Sequence, residues 1–249
     1  MEKQKTLKFV CISDTHEAKH WHKEIPDGDV LIHSGDFTKY GSFNQTKEFV
    51  KKFSKLPHKH KVVIAGNHEL SFDPDTHKFF FDMIQQTKNQ IPEKENPEKI
   101  KKLVTECDSF TYLENSGVEI GGYYIWGSPC TPMFHGWAFM ATSEELKKNV
   151  WSKIPEKTDI LVTHGPPYGK GDKSLYNNTN AGCKELLKEI KERVKPMYHI
   201  YGHIHEGHGT YKEDKITFIN CARVDIRYKV ANQPIVFELP VRAEKTNKN

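Results

Sequence analysis

The stretch KVVIAGNHEL, residues 61–70, is a short apolar run that ends in glycine and then in polar side chains. A run of β-branched residues bounded by glycine predicts a buried strand rather than an amphipathic helix. Gly66 permits a sharp turn of the backbone, and Asn67 and His68 then present an amide oxygen and an imidazole. The stretch therefore predicts a strand with metal-competent side chains at its carboxyl end.

Four further apolar runs end in the same way: LKFVCIS at 7–13, DVLIHSG at 29–35, DILVTHG at 159–165 and MYHIYG at 197–202. The side chains that end or follow the five runs are Asp14 and His16, Asp36, Asn67 and His68, His164, and His203 and His205. Ligands of open α/β sheets bind beyond the carboxyl ends of the strands. Each motif alone has an ordinary structural explanation, but all five in order favour one shared site.

Helical patterns separate several of these runs. Residues 42–55 begin with Ser42 and Gln45 at capping-box spacing, and residues 181–194 repeat apolar residues at helical intervals. The strand pair expected at 118–129 adds a second sheet. We therefore expect an α/β fold, a two-sheet β-sandwich flanked by helices, in a single domain spanning 1–249, with its core at about 8–240 and a frayed tail at 241–249.

The composition excludes several classes of protein. A content of 36% hydrophobic residues, without a long apolar run, predicts no membrane span, and a formal charge of +4 spread along the chain predicts no nucleic-acid interface. Five scattered cysteines argue against a disulfide framework. We expect a cytoplasmic protein, and the oligomeric state stays open.

The order of the motifs resembles that of a known family. The segments that carry the resemblance are SDTH, DVLIHSGDFTKYG, VVIAGNHELSFD, ILVTHGPP, GHIHEGHG and PIVFELP. They resemble the calcineurin-like metallophosphoesterase superfamily, and more particularly its MPPED-type (metallophosphoesterase domain-containing) branch. The resemblance implies that superfamily's fold over about residues 8–240.

The resemblance also implies a centre of two divalent metal ions. Asp14, His16 and His205 would bind one ion, Asn67, His164 and His203 the other, and Asp36 would bind both. Mixed oxygen and imidazole donors suit Mn, Fe, Zn or Ni better than Mg or Ca, and among these we expect Mn. The implied reaction is hydrolysis of a phosphoester by a metal-bridging hydroxide. His68 would assist the leaving group or the phosphoryl oxygens, oriented by Glu69 or by Asp14.

Substrate preference is the least determined property. The segment after Gly35 and Asp36 reads FTKYG and lacks the Asp-Arg-Gly of the superfamily's protein phosphatases. Without an arginine clamp, a singly charged diester is favoured over a dianionic monoester. We expect a phosphodiesterase acting on cyclic nucleotides or small diesters. A phosphomonoesterase, nucleotidase or protein phosphatase is the alternative, and a weakly active nucleotide-binding or scaffold protein is another.

Three further residues carry expectations. His135 lies in the aromatic segment 127–139, which forms either a wall over the substrate or a loop packed on the sheet edge; Asn67, His68 and His135 are the candidate substrate contacts. His208 matches no ligand position and is expected at the rim. Some MPPED-type members carry glycine at the position of His203, so its presence here predicts a complete second metal site.

Overall fold

A computed structural model describes residues 5–76 and 96–242 of the chain. Its main strands are β1 (Thr6–Ile12), β2 (Val30–Ser34), β3 (His60–Ile64), β4 (Thr111–Tyr112), β5 (Ser116–Ile120), β6 (Tyr123–Ser128), β7 (Thr131–Pro132), β8 (Met140–Ala141), β9 (Ile160–Thr163), β10 (Tyr198–Tyr201), β11 (Gly209–Glu213), β12 (Ile216–Asn220) and β13 (Ile235–Pro240). The described helices are α1 (Phe43–Ser54), α2 (Pro97–Thr105), α3 (Ser143–Asn149) and α4 (Lys184–Glu189). Most of the predicted frayed tail lies outside the described residues.

The strands form two large sheets. The first has the order β13-β1-β2-β3-β4, and the second has the order β11-β12-β10-β9-β6-β5. In the first sheet β1, β2, β3 and β4 are parallel, and β13 is an antiparallel edge strand. In the second sheet β12, β10, β9 and β6 are parallel, and β11 and β5 are antiparallel edge strands. The predicted α/β fold is confirmed, including the strand pair in segment 118–129, which contains the end of β5 and all of β6.

The two sheets pack face to face. Alternate residues of β1, β2 and β3, such as Phe9, Ile32 and Ile64, share a buried cluster with Ile160 and Ile200 of the second sheet. The outer faces are covered by helices, because the opposite alternation places Val10, Leu31 and Val63 against α1 and α2, and Leu161 and Tyr201 against α3 and α4. Strands buried on both faces explain why the sequence shows continuous apolar runs.

The helices begin where local chemistry predicts. The Ser42 side chain accepts a hydrogen bond from Gln45 N, and the Gln45 side chain accepts one from Ser42 N, so the predicted capping box is present. The pattern at 181–194 forms α4 and then a wider turn over Ile190–Val194. All five cysteines are free. No helix in the described part of the chain is long and apolar enough to cross a membrane.

Candidate metal centre

The loops that follow β1, β2, β9 and β10 meet at one end of the sandwich. Asp14 N donates to the carbonyl oxygen of Gly35 at 3.0 Å, and Gly202 N donates to that of His164 at 3.0 Å. The two sheets are joined by His203 N, which donates to both carboxylate oxygens of Asp14 at 3.0 and 3.1 Å. The loop after β3 joins these loops, because His68 N donates to Asp36 Oδ1 at 2.9 Å. The polar side chains that end the five runs are thereby brought together, as the sequence predicts.

Several residues of the site adopt a left-handed backbone conformation that side chains usually avoid. Asp14, His16, Asp36 and His203 have φ values of 50°, 40°, 55° and 68°. Such residues cost roughly 1 kcal/mol or more each and persist where the surrounding structure enforces them. Nothing in the sequence signals this strain, because the affected positions are not glycines.

Gly66 and Gly202 are needed for close approach to the acidic residues. A Cβ atom at Gly66 would collide with the carboxylate of Asp36, and one at Gly202 would collide with that of Asp14. The backbone at Gly66 does not adopt a positive φ. The predicted turn is present, since Glu69 N donates to Gly66 O at 3.3 Å, and the lack of a side chain at Gly66 makes room for Asp36.

Four histidines of the site share one hydrogen-bonding arrangement, in which ring Nδ1 faces a main-chain carbonyl oxygen. The pairs are His16 with Thr38, His68 with Lys39, His164 with Ser34, and His205 with Asp225, at 3.2, 2.8, 3.0 and 3.1 Å. A carbonyl oxygen only accepts, so each Nδ1 carries the hydrogen. Each Nε2 is left to face the centre of the site, which is the usual arrangement for imidazoles that bind a metal.

The inward-facing atoms form two groups that share no residue, and a third group, of His16, Asp36 and His68, overlaps both. Ligand atoms of Asp14, His16 and His205 lie within 4.8 Å of one another, and so do those of Asp36, His164 and His203. Asp36 stands between the groups, because its Oδ2 lies 3.3 Å from Nε2 of His164 and 3.6 Å from Nε2 of His16. Asn67 belongs to the second group, with Oδ1 2.9 Å from His164 Nε2.

The contacts within the groups fit a bound cation. The Nε2 atoms of His16 and His205 lie 3.3 Å apart, and both rings hold their Nδ1 hydrogen on a carbonyl oxygen. In neutral rings the two Nε2 lone pairs would face each other, so this geometry calls for a proton or a metal ion between them. His164 is in the same position, since its Nε2 faces oxygens of Asn67 and Asp36.

Burial and charge set the protonation of these groups in opposite directions. Burial lowers the pKa of His16 to about 3, although Asp36 opposes the shift. Burial alone would lower the pKa values of His164 and His205. The charges of Asp36 and Asp14 outweigh it at His164 and raise that pKa to about 9, and Asp14 raises the pKa of His205. Despite burial, the nearby His205 and His164 lower the pKa of Asp14 to about 2. The carboxylates are therefore charged at neutral pH, and protons occupy part of the site until a metal displaces them.

Glu69 has a different role from the one that the sequence predicted. It is fully buried and accepts hydrogen bonds from the backbone amides of Asp36, Gly66 and Thr38 and from the Thr38 hydroxyl, at 2.7 to 3.0 Å. Burial and the charge of Asp36 raise its pKa to about 8. Glu69 thus ties the loop after β2 to the loop after β3. The carbonyl oxygen of Lys39, which has no sequence signature, orients His68 instead.

Comparison with known proteins agrees with this geometry. The family model for calcineurin-like phosphoesterases matches residues 7–207. The chain belongs to the calcineurin-like phosphoesterase family. Human metallophosphoesterase domain-containing protein 1 is 41% identical over 238 residues, which cover 94% of this chain and 71% of the human one. A UPF0046 protein of Caenorhabditis elegans is 41% identical over 244 residues, covering 96% and 83% of the two chains.

A solved structure of the Thermus thermophilus protein TT1561 has the same fold, with a TM-score of 0.57 at 15% identity over 96% of this chain and all of that one. The family and MPPED-type resemblance read from the motifs is confirmed. Calcineurin-like phosphoesterases use divalent metals to hydrolyse phosphoesters, and the described residues provide candidate ligands for such ions.

In this calcineurin-like phosphoesterase, a cavity of about 720 Å³ opens over the two groups. Asp36, Asn67, His68, His203 and His205 form its floor, and Phe134 and Trp137 belong to its wall. Segment 127–139 therefore contributes to the wall, which was one of the two alternatives.

His135 and His208 lie away from the cavity lining. The His135 side chain is exposed and packs edge-on against Phe134, with ring centroids 4.1 Å apart. His208 is half-buried, and its Nε2 lies 3.0 Å from the carbonyl oxygen of Gln233. His208 therefore has a hydrogen-bonded position outside the cavity lining, and a substrate contact by it stays a prediction. A substrate contact by His135 stays a prediction.

Proposed function

We propose that this chain is a binuclear metal-dependent phosphodiesterase that hydrolyses small diesters, cyclic nucleotides among them. The observation that carries the proposal is the position of Asp36 between two ligand groups. Asp14, His16 and His205 would hold one ion, and Asn67, His164 and His203 the other, with one oxygen of Asp36 close to both groups.

The donor set fits ions of intermediate hardness. Imidazole nitrogens and carboxylate or amide oxygens, without a thiolate, suit Mn, Fe, Zn or Ni, and we propose Mn. When bound, such ions lower the pKa of a coordinated water and neutralise charge on the phosphoryl oxygens. The chain itself holds three of the proposed imidazole ligands, His16, His164 and His205, in one tautomer through carbonyl oxygens, so these ligands need little rearrangement.

His68 is the proposed proton donor to the leaving group. Its ring lines the cavity, and its Nε2 lies 4.0 Å from Oδ2 of Asp36, so it is adjacent to both groups without belonging to the proposed ligands. Because Nδ1 donates to Lys39, a proton for the leaving group can only leave from Nε2, which faces the cavity. The backbone also fixes this region, since His68 N donates to Asp36 Oδ1 at 2.9 Å.

The charge of the cavity supports a diester. Among the described residues that line it, none is lysine or arginine, and the Phe37–Gly41 segment brings no guanidinium. Phe37 instead packs in the core against Phe49. A dianionic monoester lacks a bidentate partner here, whereas a monoanionic diester needs only the metal centre.

Paired substrates test the proposal. The Mn-loaded protein should hydrolyse bis(p-nitrophenyl) phosphate with a higher kcat/KM than p-nitrophenyl phosphate, and cyclic nucleotides should be turned over. A preference for the monoester would favour a phosphomonoesterase, nucleotidase or protein phosphatase. Binding of nucleotide without turnover of either ester would favour the scaffold alternative.

A further inference from the structure

Exposed apolar side chains are concentrated around the mouth of the cavity. The described residues include nine large apolar side chains that are exposed, and six of the nine line this one cavity. We call these six the apolar collar: Met133, Phe134, Leu175, Tyr176, Ile226 and Tyr228. Scattered exposed apolar residues need no explanation, but their clustering at the opening of a functional cavity indicates a binding surface.

The loops that carry the apolar collar are fastened to the metal centre. Glu206, next to His205, accepts a hydrogen bond from Leu175 N. The turn that carries Tyr228 is closed by Tyr228 N donating to Asp225 O at 2.9 Å, the same carbonyl oxygen that faces His205. Ala138 N donates to Asn67 O at 3.2 Å, which holds the loop that carries Met133 and Phe134. The collar is thus positioned by the residues of the site, so a ligand would not have to order it.

Aromatic rings connect the collar to the reactive groups. The ring centroid of Tyr228 lies 4.8 Å from that of His16 and 5.4 Å from that of His205. On the other side, Trp137 lies 4.3 Å from His68. One molecule could therefore place a phosphate at the metal centre and an apolar group in the collar at once.

We propose that the substrate of this site is a soluble phosphodiester with one large apolar ester arm, an alkyl or aryl group, which binds in the apolar collar. This inference rests on the proposed function. The absence of lysine and arginine from the described lining leaves nothing to pair with a further phosphate at this position, and the apolar side chains favour an uncharged arm. Tyr228 and Trp137, on either side of the metal centre, are the residues that would contact both parts of such a diester.

Two dialkyl phosphates that differ only in the arm provide the test. Hexyl methyl phosphate and dimethyl phosphate carry the same charge, and each fully buried methylene strengthens binding by up to about fourfold. With half of that free energy realised in an open collar, the five extra methylenes should lower the inhibition constant about 30-fold. Inhibition of bis(p-nitrophenyl) phosphate hydrolysis by the Mn-loaded protein measures the two constants.

Binding of the two phosphates can also be measured without turnover, by tryptophan emission. Trp137 lines the cavity, whereas Trp21, Trp126 and Trp151 are at most 3% exposed. Hexyl methyl phosphate should therefore change the tryptophan emission at about 30-fold lower concentration than dimethyl phosphate. Trp137→Phe should abolish the emission change.

Substitutions inside and outside the collar show whether the ratio of the two inhibition constants depends on the collar itself. Leu175→Ser and Ile226→Ser should each reduce the ratio of the two constants severalfold. Val236→Ser alters an exposed apolar residue of β13 that does not belong to the described lining, and it should leave the ratio and the basal activity unchanged.

Three other outcomes would contradict the collar, the proposed function or the soluble substrate. Equal binding of the two phosphates, with diester turnover intact, would overturn the collar and leave the diesterase standing. A 30-fold ratio in tryptophan emission without any diester turnover would retain the collar and refute the proposed function. Sedimentation of the protein with phosphatidylcholine vesicles, abolished by Leu175→Ser, would show that the collar meets a lipid surface and overturn the soluble substrate.

Discussion

Glu69→Ala should destabilise the protein far more than the loss of one side chain on the surface. The substitution removes the acceptor for three buried backbone amides, those of Asp36, Gly66 and Thr38. A buried donor without an acceptor costs about 1–3 kcal/mol, and water entering the space relieves part of that cost. We therefore expect a loss of about 4 kcal/mol in the free energy of unfolding.

Urea unfolding of the metal-free protein, followed by circular dichroism, measures this loss without any contribution from bound ions. With a slope of about 3 kcal/mol per M, the midpoint should fall by about 1.3 M. Glu69→Gln keeps one acceptor oxygen and should lose less. Glu145→Ala, which removes an exposed capping-box glutamate that accepts from Thr142, should cost much less stability than Glu69→Ala. If Glu69→Ala lost no more stability than Glu145→Ala, Glu69 would not be what holds the two loops.

Three further outcomes are expected at the metal centre. His68→Asn should leave the metal content nearly intact and lower kcat by a factor on the order of 10²; unchanged turnover would remove His68 from the reaction. His203→Gly should lower both Mn²⁺ affinity and kcat, and equilibrium dialysis with unchanged affinity would contradict its assignment as a ligand. In the metal-free protein the pKa of His164 is raised to about 9, so Mn²⁺ must displace its proton below that pH. Affinity should therefore rise with pH by about tenfold per unit between about pH 6 and 8, and calorimetry that detects no proton release would argue against this.

Much of the fold could be predicted because it depends on local patterns. Strands buried on both faces appear as continuous apolar runs, and the capping box at Ser42 marks the start of α1. The site was predictable for the same reason, since the ends of parallel strands share one edge. What depends on contacts between distant segments had no such signal: the Lys39 carbonyl that orients His68 is a backbone atom, and any residue type supplies one.

The apolar collar could not be predicted from the sequence either. Leu175, Ile226 and Tyr228 come from two segments far apart in sequence, and each is ordinary in its own segment. Leu175 N donates to Glu206 and Tyr228 N to Asp225 O, and these bonds help to hold the two segments at one opening beside His205. Left-handed backbone at Asp14 and Asp36 was likewise not predictable, because aspartate adopts it at only a minority of its positions and no local motif marks these two.

Metal stoichiometry is the most direct test of the binuclear centre. Elemental analysis of the Mn-loaded protein should find two ions per chain, and Asp36→Asn, which alters the residue that lies between the two ligand groups, should reduce the content to below one. Circular dichroism of the variant would confirm that it is folded. A wild-type content of one ion or less, or two ions retained by a folded Asp36→Asn variant, would contradict a centre in which Asp36 binds both metals.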